Sequence, residues 1–169
     1  MEDLIIEVDK NNNVLGLRPR EDFYGGKYIH RSSHLLLFNT TGELAIMKRS
    51  TNKRWYPNLY TFSVSGTVDN ETNTECIKRE IKEEIGLDLE PKELFTFRHF
   101  DNQDSAFATV YFAVSDKNLI PDKQEISEVK LILLEQLKDD MISNPDIYTL
   151  PFLLGMKAYF EKYGSELPK

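Results

Sequence analysis

Arg79-Glu80-Ile81-Lys82-Glu83-Glu84-Ile85-Gly86-Leu87 is the stretch whose reading decides the fold. It reads as the second half of a helix that begins near Thr74, with Thr72 or Thr74 as N-cap and Gly86 just past the C-terminal turn. At about 100° per residue, Glu80, Glu83 and Glu84 fall within an arc of roughly 100°. Ile77, Ile81 and Ile85 form a neighbouring apolar stripe suited to packing on a sheet, while Glu75 and Lys82 point to water. Carboxylates side by side repel, at a cost of about a few tenths of a kcal/mol per pair. A charge run on a helix is usually a solvated face. A bound divalent cation removes the conflict, because hard cations such as Mg²⁺ take carboxylate oxygens.

The residues upstream weigh against a plain solvated face. Glu71 stands eight positions before Arg79, and Gly66 stands in the loop before that. Gly66…Glu71…Arg79-Glu80-Ile81-Lys82-Glu83-Glu84-Ile85-Gly86-Leu87 resembles the Nudix box of the Nudix hydrolase superfamily. From Glu71 through Leu87 the match is complete. The loop before it departs from the pattern, with four residues between Gly66 and Glu71 where the family has five. Either the loop is one residue short or Ser65 stands in the glycine's place, and Asn70 replaces the glycine usual before the first glutamate.

The resemblance implies an α/β fold, an α/β/α sandwich with a mixed β-sheet and an N-terminal β-hairpin. It implies Mg²⁺-dependent hydrolysis of a phosphoanhydride, with Mn²⁺ as a substitute. Glu80, Glu83 and Glu84 match metal ligands, and Glu71 matches a supporting residue or occasional ligand. Arg79 lies four residues before Glu83 and can orient that carboxylate by an ion pair. Glu83, Glu84 and Arg79 form the expected catalytic set together with Glu125, a carboxylate outside the box that would serve as ligand or general base; Glu128 is its alternative. Arg49 and Lys53 match positions that hold a diphosphate in the isopentenyl-diphosphate isomerase branch.

The 169 residues suffice for one domain, 1–169, with 1–28 as a hairpin and loop extension. The net charge of −7 argues against a nucleic-acid or acidic-membrane surface, so an anionic substrate needs local cations or metal. No apolar run approaches 18 residues and the first residues are acidic, so neither a membrane span nor a signal peptide is expected. The single cysteine, Cys76, reads as a packed thiol with no disulfide partner, and a cytoplasmic setting follows as the default.

Strands are expected at 4–9, 14–18, 34–38, 43–49, 61–65, 94–98, 106–114 and 129–134, with helices at 74–85, 135–141 and 148–163. In the last helix Leu150, Leu153, Leu154, Lys157 and Phe160 recur at helix spacing; Tyr148, Phe152, Tyr159 and Phe160 suit core or homodimer contact. His30 reads as a loop histidine at the start of the first core strand. Trp55, Tyr56, Phe62 and Phe97 suit either the core or stacking on a base.

These features favour hydrolysis of a nucleoside diphosphate derivative or a nucleoside di- or triphosphate. One alternative is a nucleotide-metabolite binding module without activity, although such modules commonly lack the box carboxylates that this chain keeps. A second is the isomerase. That reaction needs a cysteine where Ser65 stands, a histidine where Thr67 stands, and an acidic pair where Ser105 and Phe107 stand.

Overall fold

The computed structural model describes residues 3–168; residues 1, 2 and 169, which the expected domain included, lie outside the described residues. Strands β1 (Leu4–Val8) and β2 (Val14–Pro19) form an antiparallel two-stranded hairpin, closed by the turn that Asp9 organises through its carboxylate. A single 3₁₀ turn, Arg20–Phe23, leads away from it.

A seven-stranded mixed sheet follows. Its strands are β3 (His30–Phe38), β4 (Glu43–Arg49), β5 (Tyr60–Thr61), β6 (Val64–Thr67), β7 (Lys92–Phe100), β8 (Ser105–Val114) and β9 (Ile126–Leu133). β3 runs parallel to β8 over its full length, and the other pairings are antiparallel.

The alternation of β3 serves two cores. Leu35 and Leu37 face α1 (Asn73–Ile85), meeting Ile77, Ile81 and Ile85. Leu36 and Phe38 face the other side, with α2 (Leu134–Ser143) and α3 (Leu150–Tyr163). Helices on both faces make the expected α/β sandwich.

The expected α1 is present and starts slightly earlier. Thr72 is its N-cap in a capping box with Glu75, and Gly86 adopts the left-handed conformation that ends it (φ 70°). Its last carbonyls are taken by the loop before β9: Ile120 N–H donates to Ile85 O and Asp122 N–H to Glu84 O.

Two expectations are corrected. The strand expected at 61–65 is two short strands, one on β4 and one on β3. Ser63 makes the crossing possible, because its hydroxyl accepts the Leu37 N–H and donates to the Ala45 carbonyl in place of a ladder bond. β3 begins at His30, so His30 is a buried strand residue and not a loop histidine. In α3 the buried stripe is Phe152, Met156 and Tyr159, so Phe152 and Tyr159 are core as expected, joined by Tyr148 just before the helix, while Leu150 and Leu154 are exposed.

β3 and β4 pair only at Leu37–Ala45 and Phe38–Leu44 and then diverge. β6 fills in against β3, and β9 runs along β4. The wedge between the diverging strands holds a cavity.

Candidate active site

A cavity of about 470 Å³ opens in this wedge, lined on one side by Arg79, Glu80, Glu83 and Glu84 of α1 and on the other by Arg49, Lys53 and Glu125. Seven of the eight expected site residues therefore meet in one place. Glu71 does not line the cavity; it accepts from Arg79 at 2.5 and 3.2 Å and holds that guanidinium from behind. Arg79 in turn donates to Glu80 (2.8 Å) and Glu83 (3.2 Å). The network extends to the N-terminal segment, where Arg20 bridges Asp3 and Asp69, and Asp69 lies 3.6 Å from Arg79.

The three box glutamates are not equivalent. Glu83 stands exposed at the rim, while Glu80 and Glu84 are shielded by the sheet. Glu80 lies flat over Gly66. A Cβ at Gly66 would fall 2.6 Å from Glu80 Oε1, so Gly66, not Ser65, is the glycine the box requires. Asn70 needs no left-handed backbone; among described non-glycine residues positive φ occurs at Asn12, Tyr56 and Asn58.

Electrostatics mark the same pair. Burial pushes the Glu80 carboxyl up to about 7 against the pull of Arg79, with Glu83 and Glu125 adding to the rise. Burial, then the charges of Glu80 and Glu125, drives Glu84 well above the usual carboxylate range; the Ser65 N–H and Arg49 oppose it. Two carboxylates are thus packed together short of positive charge. Burial also pulls the Arg49 guanidinium down. Among the described residues Arg49 has no ion-pair partner, and its Nε donates to the Trp55 carbonyl at 2.8 Å, leaving the rest of the guanidinium to the cavity. Lys53 differs, since its ammonium donates to Glu125 at 2.5 Å.

The donor set fits a hard divalent cation: carboxylate oxygens on a rigid helix, crowded enough to be costly without one. As the side chains stand, no three His, Cys, Asp or Glu among the described residues are preset around one point. Glu80 is turned to Arg79, Glu84 to the Ser65 N–H at 3.4 Å, and Glu125 to Lys53. Glu128, the alternative to Glu125, is exposed on β9 and is not among the cavity residues.

The cavity floor was not legible as a site. His30, His34 and His99 are buried there with Asp104. His30 Nε2 lies 2.6 Å from an Asp104 carboxylate oxygen and its Nδ1 3.0 Å from the Arg31 carbonyl. His34 lies between the hydroxyls of Ser32 and Ser65, each at 2.9 Å, and burial followed by the charge of His99 lowers it to about 3. The polar run His30-Arg31-Ser32-Ser33-His34, ahead of the apolar second half of the strand, was the available signal. Asp104 had none, because it sits in a turn 74 residues from its partner. The aromatic residues are engaged with one another. Trp55 stacks on His30 at 5.6 Å and meets Tyr24 edge-on, and Arg54 covers the Tyr24 ring at 4.1 Å. The Tyr56 hydroxyl donates to Asp101. Phe62 is core. Cys76 is a packed thiol, as expected, and burial raises it.

Comparison with known proteins gives the same class. The NUDIX domain matches residues 28–152, and the chain belongs to that family. It is a Nudix hydrolase acting on phosphoanhydride bonds. A prenyl-diphosphate phosphatase of Methanosarcina mazei is 36% identical over 163 residues, covering 94% of this chain and 96% of its own. An isopentenyl-diphosphate Delta-isomerase of Photorhabdus laumondii subsp. laumondii is 27% identical, covering 90% and 89%. A crystal structure from Deinococcus radiodurans superposes with a TM-score of 0.80 at 26% identity, covering 92% of this chain and 98% of that one.

Proposed function

We propose that the protein is a divalent-cation-dependent hydrolase of a prenyl diphosphate, cleaving between the two phosphorus atoms to give the prenyl monophosphate and inorganic phosphate. The observation that carries the diphosphate reading is Arg49, a partly buried guanidinium with no ion-pair partner among the described residues, which faces a cavity lined by three box glutamates. Such a group is costly unless an anion completes it. Glu80, Glu84 and Glu83 would hold Mg²⁺ or Mn²⁺, with Arg79 fixing the carboxylate rotamers and Glu71 fixing Arg79. When bound, the cation supplies Lewis acidity at the phosphoryl oxygens. Arg49 binds the terminal phosphoryl group, and Glu125 accepts the proton of the attacking water or completes the cation's ligands. The water oxygen joins phosphorus as the bridging P–O bond breaks.

The prenyl moiety is taken from the likeness to the Methanosarcina mazei phosphatase, which spans nearly the full length of both chains. The geometry agrees in one respect. Trp55 and Tyr24 already contact each other, His30 and Arg54, which leaves little of these two aromatic faces for the nucleobase that a nucleotide substrate would bring. Isomerisation lacks its acid: Ser65 hydrogen-bonds His34, Ser105 donates to the Gly26 carbonyl, and Phe107 packs on Phe100.

The test is a product-resolved assay with Mg²⁺ over geranyl and farnesyl diphosphate, ADP-ribose, and nucleoside di- and triphosphates. A kcat/KM at least about tenfold higher for a prenyl diphosphate, corresponding to roughly 1.4 kcal/mol of transition-state preference, is expected. Preference for a nucleotide would return the substrate to the reading that the sequence favoured.

A further inference from the structure

Ser50, buried at the end of β4, joins the two loops that carry Lys53 and Glu125. Its N–H donates to the Glu125 carbonyl (3.0 Å), its hydroxyl to the Gln124 carbonyl (2.6 Å), and its own carbonyl accepts the Lys53 N–H (3.3 Å). The backbones of Lys53 and Glu125 are therefore held together whatever their side chains do. The side chains close the loop with the 2.5 Å ion pair, yet they remain 27% and 38% exposed to the cavity. An ion pair with that much access to water is weak and exchanges partners readily.

The other cations of the site have less freedom. Arg79 is tied to Glu71, Glu80 and Glu83, and Arg49 is partly buried and anchored to Trp55. Lys53 is a compact ammonium on a flexible stem. A diphosphate entering the cavity offers it more negative charge than one carboxylate does. Glu125 faces the same cavity as Glu80 and Glu84.

We propose that Lys53 couples diphosphate binding to cation binding. In the free protein its ammonium occupies Glu125; an arriving diphosphate draws the ammonium away, and Glu125 is released to the cation shared with Glu80 and Glu84. This rests on the metal-dependent diphosphatase reading above. Coupling of this kind is reciprocal: diphosphate tightens the cation by the factor by which the cation tightens diphosphate. Part of that factor comes from direct cation–phosphate contact. The Lys53 part is what its substitution removes.

The experiment measures Mn²⁺ binding to the protein by electron paramagnetic resonance, with and without methylenediphosphonate, a diphosphate with no cleavable bridge. Lys53→Gln, Arg54→Gln, Glu125→Gln and the double variant Lys53→Gln/Glu125→Gln are compared with the unaltered chain. Arg54 controls for loss of a charge, since it lines the same cavity but sits on Tyr24. Without methylenediphosphonate, Lys53→Gln is expected to bind Mn²⁺ about fivefold tighter than the unaltered chain and tighter than Arg54→Gln. The gain should vanish when Glu125→Gln is already present, and methylenediphosphonate should tighten Mn²⁺ less in Lys53→Gln than in the unaltered chain. Equal affinities in Lys53→Gln and Arg54→Gln, or a gain that persists with Glu125→Gln, overturn the coupling alone. An unaltered chain that neither binds Mn²⁺ nor hydrolyses any diphosphate overturns the site reading and the coupling with it.

Discussion

Gly66 and Glu80 touch so closely that neither tolerates an added atom between them: a Cβ on Gly66 would lie 2.5 Å from Glu80 Cδ and 2.6 Å from Oε1. Gly66 has an ordinary φ, so space and not backbone strain requires glycine here. The atoms in the way belong to a side chain, and a side chain yields more readily than a strand. Gly66→Ala is therefore expected to displace Glu80 and leave the sheet intact. Turnover should fall on the order of 10²-fold, the scale of losing one well-placed electrostatic group. Thermal unfolding should shift little. A large drop in melting temperature with turnover intact would show that Gly66 serves folding and not Glu80.

Glu84 sets stability against activity. It is held among Glu80 and Glu125 in a buried setting that favours its neutral form. Glu84→Gln keeps the shape and removes the charge, so the metal-free variant should be more stable than the unaltered chain by about 1–2 kcal/mol. Turnover should fall by roughly 10²-fold or more. Mg²⁺ should raise the melting temperature of the unaltered chain through binding to the folded state, and raise that of Glu84→Gln much less. Excess chelator should abolish hydrolysis and Mg²⁺ should restore it. Calorimetry with and without Mg²⁺, beside steady-state rates, checks both halves.

The box helix was legible because its residues obey local rules. Thr72 and Gly86 cap it, Ile77, Ile81 and Ile85 recur at helix spacing, and its carboxylates make no sense as a solvated face once Glu71 and Arg79 are placed. Arg49, Lys53 and Glu125 were legible through resemblance, and the fold brings them to the same cavity. What escaped depends on tertiary placement. Ser63 splits a strand by substituting its hydroxyl for two ladder groups, and nothing in its neighbours' periodicity announces that. Asp104 reaches His30 across 74 residues, and the parallel pairing of β3 with β8 that joins them is set by the whole sheet. In α3 the aromatic positions Phe152 and Tyr159 were legible as core, whereas Met156 beside them was not singled out, because apolar side chains surround that helix and the sheet selects which face is buried.

Glu125→Gln and Glu128→Gln separate a working carboxylate from a bystander. Glu125 lines the cavity and meets Lys53, whereas Glu128 is exposed on β9 opposite Lys48. As base or ligand, Glu125→Gln should cost roughly 10²- to 10⁴-fold in turnover. Glu128→Gln should leave rates nearly intact and change stability by no more than about 0.5 kcal/mol. Steady-state kinetics on both variants decides; equal silence would leave the water's proton to the box glutamates.

His34 makes the folded state sensitive to acid. Burial first, then the charge of His99, holds its imidazole at about 3 in the fold, against 6.5 for an ordinary histidine. Its ring nitrogens meet only the hydroxyls of Ser32 and Ser65, which serve a neutral ring as donor on one side and acceptor on the other. The unfolded chain takes up a proton at His34 as pH falls through 6.5, while the folded chain resists until about 3. Stability from this group is thus fully present above 6.5 and is lost as pH falls from 6.5 toward 3, on the order of several kcal/mol at the acid limit. Glu80 and Glu84, whose folded forms favour the proton, act in the opposite direction over the same range, so the net acid limb is a difference. The clean measurement is therefore relative. His34→Asn keeps a polar group that can hydrogen-bond a serine and has nothing to titrate. It should be less stable than the unaltered chain at pH 7.5 because of the lost ring volume, and the gap should narrow steadily by pH 4. Denaturant unfolding at a series of pH values gives the comparison, and a gap that stays constant from 7.5 to 4 would show that His34 is not the group responsible.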